Sequence, residues 1–161
     1  MNVLFLDYDG VVNTIIWNEN GTKAGYNHHN DGKVNNFQAV QWVSEFCQKY
    51  DYKIIVTSTW RVWENYSDCL RNGGLRPDVE ILGCTGKSTL GRGAEIKDYL
   101  SKHPEISQYL VADDENAFEG YPDILERFIQ CNHNGGFNYE EFHLAIMLHN
   151  MHTKPKKDWD E

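Results

Sequence analysis

Apolar runs that end abruptly on polar residues recur along the chain. Val3-Leu4-Phe5-Leu6 stops at Asp7-Tyr8-Asp9-Gly10, and Lys53-Ile54-Ile55-Val56 stops at Thr57-Ser58-Thr59-Trp60-Arg61. Tyr109-Leu110-Val111-Ala112 stops at Asp113-Asp114-Glu115-Asn116. Short continuous runs bounded by turn residues read as strands buried on both faces, as in a parallel sheet. Val79–Leu82 predicts a further short strand and Arg127–Cys131 a fifth. Between the runs the period changes to three and four. Phe37, Val40, Val43, Phe46, Cys47 and Tyr50 predict a helix from about Asn35, with Asn35 and Gln38 as its capping box. Trp63, Tyr66 and Leu70 predict a second helix that stops at Gly73-Gly74. Ile96, Tyr99 and Leu100 lie on one side of a third, from Gly93 to Lys102, ended by Pro104. Asn138-Tyr139-Glu140-Glu141 opens a last helix with a capping-box pattern and places His143, His149 and His152 on or past its surface. Residues 14–33 are polar and turn-rich, a loop or small hairpin over the end of the first strand.

Strands alternating with helices imply a parallel α/β sheet. The 161 residues suit one domain, expected over 1–152 with 14–33 as a small flap and 153–161 as a charged tail. The aromatic content of 13% supplies core material, and no stretch reaches the ~18 apolar residues of a membrane helix. The first strand starts at once and carries no signal-peptide pattern, which sets a cytoplasmic expectation. Cys47, Cys69, Cys84 and Cys131 form no C-x-x-C pair and read as buried thiols. A formal net charge of −9 argues against a non-specific grip on nucleic acid.

The chemistry concentrates at the strand ends, where open α/β sheets bind ligands. Asp7 and Asp9 are two apart, so a continuing strand would point both to one face. Two close carboxylates need a cation or a shared proton, and hard oxygen donors suit a divalent ion such as Mg²⁺. A calcium loop is excluded, because Val11 and Asn18 stand where it needs an oxygen ligand and a Glu. Gly86-Lys87-Ser88 resembles part of a nucleotide-binding P-loop, but Ile81 stands where the first Gly belongs. Lys87 is still placed to reach an anion. His28 and His29 are adjacent and read as exposed loop residues rather than metal ligands. Consecutive carboxylates at Asp113 and Asp114, after a buried strand, are costly unless solvated or bound to a cation.

Taken in order, Asp7 and Asp9, Thr57 and Ser58, Lys87, then Asp113 and Asp114 resemble the motifs of the haloacid dehalogenase (HAD) superfamily of phosphohydrolases, over nearly the whole chain. The stretches Thr57-Ser58-Thr59-Trp60-Arg61 and Arg92-Gly93-Ala94-Glu95-Ile96 are similar to a subgroup related to HAD domains of Swiss Army Knife RNA repair proteins. The resemblance implies a Rossmannoid three-layer sandwich with a central, mainly parallel sheet of about five strands. It implies a Mg²⁺-dependent phosphatase with Asp7 as nucleophile and Asp9 as general acid and base. Mg²⁺ would be held by Asp7, the backbone carbonyl of Asp9, and Asp113, with Asp114 close by. Thr57 or Ser58 would bond a phosphoryl oxygen, Lys87 or Arg92 would supply the positive charge, and Gly10 and Arg61 would line the substrate. Neither usual cap position holds enough residues for a cap domain. An open site suits a phosphorylated nucleic-acid end or phosphoprotein, and nucleotides stay open. The alternative is a phosphate-binding or interaction domain that keeps the fold without catalysis.

Overall fold

The computed structural model describes residues 1–26 and 32–153. His28, His29 and tail residues 154–161 lie outside the described residues. Seven strands and five helices follow the chain: β1 Asn2–Leu6, β2 Ile15–Trp17, β3 Lys23–Tyr26, α1 Phe37–Tyr50, β4 Tyr52–Val56, α2 Tyr66–Asn72, β5 Ile81–Cys84, α3 Arg92–Lys102, β6 Gln108–Asp113, α4 Pro122–Leu125, β7 Phe128–Gln130 and α5 Tyr139–Thr153. The main sheet has the order β5-β4-β1-β6-β7, with every pairing parallel. β2 and β3 form a separate antiparallel hairpin within the expected flap.

Period two divides the core. Leu4, Leu6, Ile54, Val56, Leu110 and Ala112 face α1, α2 and α5. Val3, Phe5, Ile55 and Val111 face Ile96 of α3 and Ile124 of α4. Each of these side chains is fully buried, giving the three layers expected from alternating strands and helices. Among the described residues no helix is long and apolar enough to cross a membrane.

Several local expectations shift. The cap of α1 is Asn36, which accepts from Ala39 N, while Asn35 ties the hairpin base by accepting from Thr14 N at 2.7 Å. The predicted second helix is split. Ser58 caps a 3-10 turn over Thr59–Val62, Trp63 is extended, and α2 begins only at Tyr66. The third strand lies two residues later than Val79–Leu82, because the register slips between Ile54 and Ile55 and leaves Leu82 as an extra, exposed residue. The capping box of α5 forms, with Glu141 accepting from Asn138 N at 3.2 Å. His149 is not a surface residue: it is half-buried, its Nδ1 2.9 Å from the Tyr52 hydroxyl. Burial pushes that imidazole below its ordinary value. Cys47, Cys69 and Cys131 are buried free thiols and Cys84 is half-buried.

Candidate active site

The register builds the site. Leu6 pairs with Val56 on one side and Ala112 on the other, and Val56 pairs with Cys84. The next residue of each strand is polar: Thr85, Thr57, Asp7 and Asp113 therefore stand side by side at the C-terminal edge. Their backbones continue the ladder, with Thr85 N to Val56 O at 3.0 Å, Thr57 N to Leu6 O at 2.9 Å and Asp7 N to Ala112 O at 3.0 Å. All four are buried. Period two puts them on the face of Ile55, Phe5 and Val111, toward α3.

Asp9 arrives differently from the expectation of a continuing strand. β1 ends at Leu6, and a tight turn follows in which the N–H groups of Val11, Val12 and Asn13 all point to Tyr8 O at 2.8–3.0 Å. Gly10 makes the turn with φ +81, and a Cβ there would meet Asp114 Cγ at 2.3 Å. Glycine is thus required twice, for the left-handed backbone and for the approach of Asp114. Asp9 Oδ1 accepts from Asn13 Nδ2 at 2.9 Å and from Trp60 Nε1 at 3.2 Å.

Carboxylate oxygens of Asp7, Asp113 and Asp114 all lie within 4.8 Å of one another, whereas the Asp9 carboxylate stands outside that set. Burial and then the neighbouring Asp113 push the Asp7 carboxyl well above the usual range. Burial also raises Asp113, to about 6, against the lowering pull of Arg92 and of the Glu115 N–H. Arg92 Nη1 lies 2.8 Å from Asp113 Oδ2 and 3.3 Å from Asp7 Oδ1. Burial lowers the Arg92 guanidinium, but Asp7 and Asp113 outweigh it and the net shift is upward. One guanidinium against three carboxylates leaves a formal −2. Hard oxygen donors carrying that surplus suit a small divalent cation.

The positive side of the cleft divides its work. The cleft encloses about 460 Å³, and Lys87, Arg92 and Arg61 all line it. Lys87 is exposed and makes no hydrogen bond or ion pair among the described residues. Arg61 is enclosed, its Nη2 3.0 Å from Glu95 Oε2, with side chains only 8% and 6% exposed. The same guanidinium donates to Thr57 O and Ser58 O. Glu95 in turn accepts from Ser88 N at 3.0 Å. The pair therefore ties the loop after β4 to α3 and to the loop that carries Lys87. Truncating one partner strands a buried charge, and Arg61→Ala should cost about 3–5 kcal/mol in urea unfolding. A loss below about 1 kcal/mol would show that water has access to the pair.

The three hydroxyls after β4 also separate. Ser58 Oγ accepts from Trp60 N at 3.2 Å, Thr59 lines the cleft, and the fully buried Thr57 hydroxyl has no partner among the described residues. Sequence reasoning missed the parts played by Thr85, Glu95, Asn13 and Trp60. The one available signal was the three-residue spacing of Arg92 and Glu95, which puts both on one side of α3.

The family model described as "HAD domain in Swiss Army Knife RNA repair proteins" matches residues 3–142, from β1 to the first turn of α5 and across every site residue above. No curated protein matches the chain.

Proposed function

Since the chain belongs to the family of HAD domains in Swiss Army Knife RNA repair proteins, whose fold is that of HAD-type phosphohydrolases, we propose that it hydrolyses phosphomonoesters with Mg²⁺ through an aspartyl-phosphate. The observation that carries this reading is the cluster of buried Asp7 and Asp113 with half-buried Asp114 at the strand ends. An Asp7 oxygen bonds to phosphorus as the bond from phosphorus to the leaving oxygen breaks. Asp9, as the acid, gives its proton to that leaving oxygen. The Asp9 carboxylate then takes a proton from water, the water oxygen bonds to phosphorus, and the bond to Asp7 breaks, releasing phosphate. Mg²⁺, when held by Asp7, Asp113, Asp114 and the backbone carbonyl of Asp9, offsets the charge that keeps a phosphate from a carboxylate.

The remaining roles follow from contacts. Thr57 stands beside Asp7 and its unpartnered hydroxyl supports it as the phosphoryl donor, while Ser58 is engaged as a cap. Arg92 is assigned to the nucleophile and Lys87, exposed in the same cleft, to the incoming phosphate. Arg61 is occupied by Glu95 and two carbonyls, which supports an anchoring role for the substrate loop rather than direct substrate contact. Gly10 holds the turn beside the substrate. The hairpin β2–β3 spans only a few residues, too few for a cap domain, which supports access for large substrates such as phosphorylated nucleic-acid ends.

A phosphate-release panel with Mg²⁺ tests the reading on nucleotides, 3′- and 5′-phosphorylated oligonucleotides, phosphopeptides and sugar phosphates. Turnover is expected on at least one class, and release confined to oligonucleotide ends would mark an end-processing phosphatase. Silence across the panel would favour the binding-domain alternative.

A further inference from the structure

We infer that Asn13 and Trp60 are positioning residues that aim the Asp9 carboxyl at the leaving group, an inference that rests on the phosphatase reading above. Two buried donors from separate elements converge on one oxygen. Asn13 is fully buried in the turn after β1, and Trp60 is fully buried in the 3-10 turn after β4. Both reach Asp9 Oδ1, at 2.9 Å and 3.2 Å.

Each donor is itself fixed. The Asn13 amide is oriented by its own acceptor role, since Asn13 Oδ1 takes the Asn35 N–H at 3.1 Å. The Asn13 backbone is held at both ends, its N–H on Tyr8 O and its carbonyl on Gly10 N, each at 2.8 Å. Trp60 packs edge-on against Tyr8 with ring centroids 5.4 Å apart, and Ser58 Oγ holds its backbone N–H. An indole N–H can only donate, and a buried one needs an acceptor. Here that acceptor is the residue assigned to proton transfer.

The consequence is geometric. The terminal torsion of an aspartate is broad, so an unrestrained carboxylate samples many orientations. Two donors on Oδ1 fix the plane of the group. Delivery to a leaving oxygen then starts from a defined point, and misplacement by about 1 Å costs on the order of 100-fold in rate.

The test separates aim from scaffolding by leaving group. An alkyl phosphate expels an alkoxide that needs the Asp9 proton, whereas 4-nitrophenyl phosphate expels a phenolate that departs without one. Asn13→Ser and Trp60→Phe are assayed with Mg²⁺ on both substrates. In each variant kcat/KM on the alkyl phosphate should fall about tenfold or more beyond its fall on 4-nitrophenyl phosphate. The ratio comes from one preparation, so a lower folded fraction cancels. Parallel losses on both substrates would overturn the inference. A wild type silent on both and across the wider phosphate-release panel would overturn the phosphatase reading instead, and the inference with it. A second measurement needs no turnover: Asp9→Asn should shift the Trp60 indole N–H resonance more than those of the other four tryptophans, from a total of five. An unmoved Trp60 resonance would show that the bond is absent in solution and overturn the assignment.

Discussion

Asp7→Asn is expected to reduce phosphate release by about 10⁴-fold or more while leaving the fold at least as stable as wild type. The two halves of this expectation have one origin. Asp7 is 6% exposed and shares its pocket with Asp113 and Asp114. Burial is the main force raising its carboxyl, and the neighbouring acid adds to it. The folded site therefore disfavours the ionised carboxylate at this position. Asparagine keeps the shape, removes the charge and adds a donor that can face Asp113, but its amide is a poor nucleophile toward phosphorus. Phosphate release and a thermal melt without Mg²⁺ check both halves. Activity above about 1% of wild type would remove Asp7 from the nucleophile role, and a lower melting temperature would refute the charge argument.

Mg²⁺ is expected to invert the pH dependence of stability. Asp113 rises from an ordinary 3.8 to about 6 in the folded state, chiefly through burial. A carboxyl with a raised folded pKa favours folding while protonated. Its contribution is complete below the unfolded value near 3.8 and is lost as pH rises through about 6. The upward shift of Asp7 acts in the same direction. Without divalent cation, melting temperature should therefore decline from about pH 5 to about pH 7. Mg²⁺ needs both groups deprotonated, so the stabilisation it adds should be small near about pH 5 and grow above about pH 6. Asp113→Asn should remove most of that gain, and excess chelator should abolish activity. A Mg²⁺ shift of equal size at every pH, or turnover undiminished in chelator, would sink the assignment of this cluster to the cation.

The strand ends were the most legible part of the sequence. Each run from Val3, Lys53 and Tyr109 is apolar on both faces and stops at one polar residue, and the common register then brings Asp7, Thr57 and Asp113 into line. The resemblance to HAD phosphohydrolases rested on those same residues, and the family match confirms the family. Edge features were harder to read. β5 has a neighbour on one side only, so Ile81, Leu82 and Gly83 carry no clean pattern and the slip at Leu82 left no sequence signal. The break between Val62 and Tyr66 was hidden because Trp63, Tyr66 and Leu70 satisfy a helical spacing, whereas Trp63 is extended and Trp60 turns toward Asp9 and Tyr8. The Arg61–Glu95 pair joins positions far apart in sequence, and nothing local links them.

The place of β1 in the sheet has a consequence for how the protein is made. It is the first strand of this sheet to be translated, yet it is the central one, with β4 starting at Tyr52 and β6 at Gln108 as its two neighbours. At about 5–20 residues per second, several seconds of elongation separate the emergence of Val3-Leu4-Phe5-Leu6 from that of its second partner. During that interval the stretch that seats Asp7 has a half-built cleft and an open strand edge. Non-local parallel pairing is slow in any case. Among the strands of this sheet, β1 thus waits longest in the nascent chain for its second partner, which leaves an apolar edge open to mispairing during synthesis.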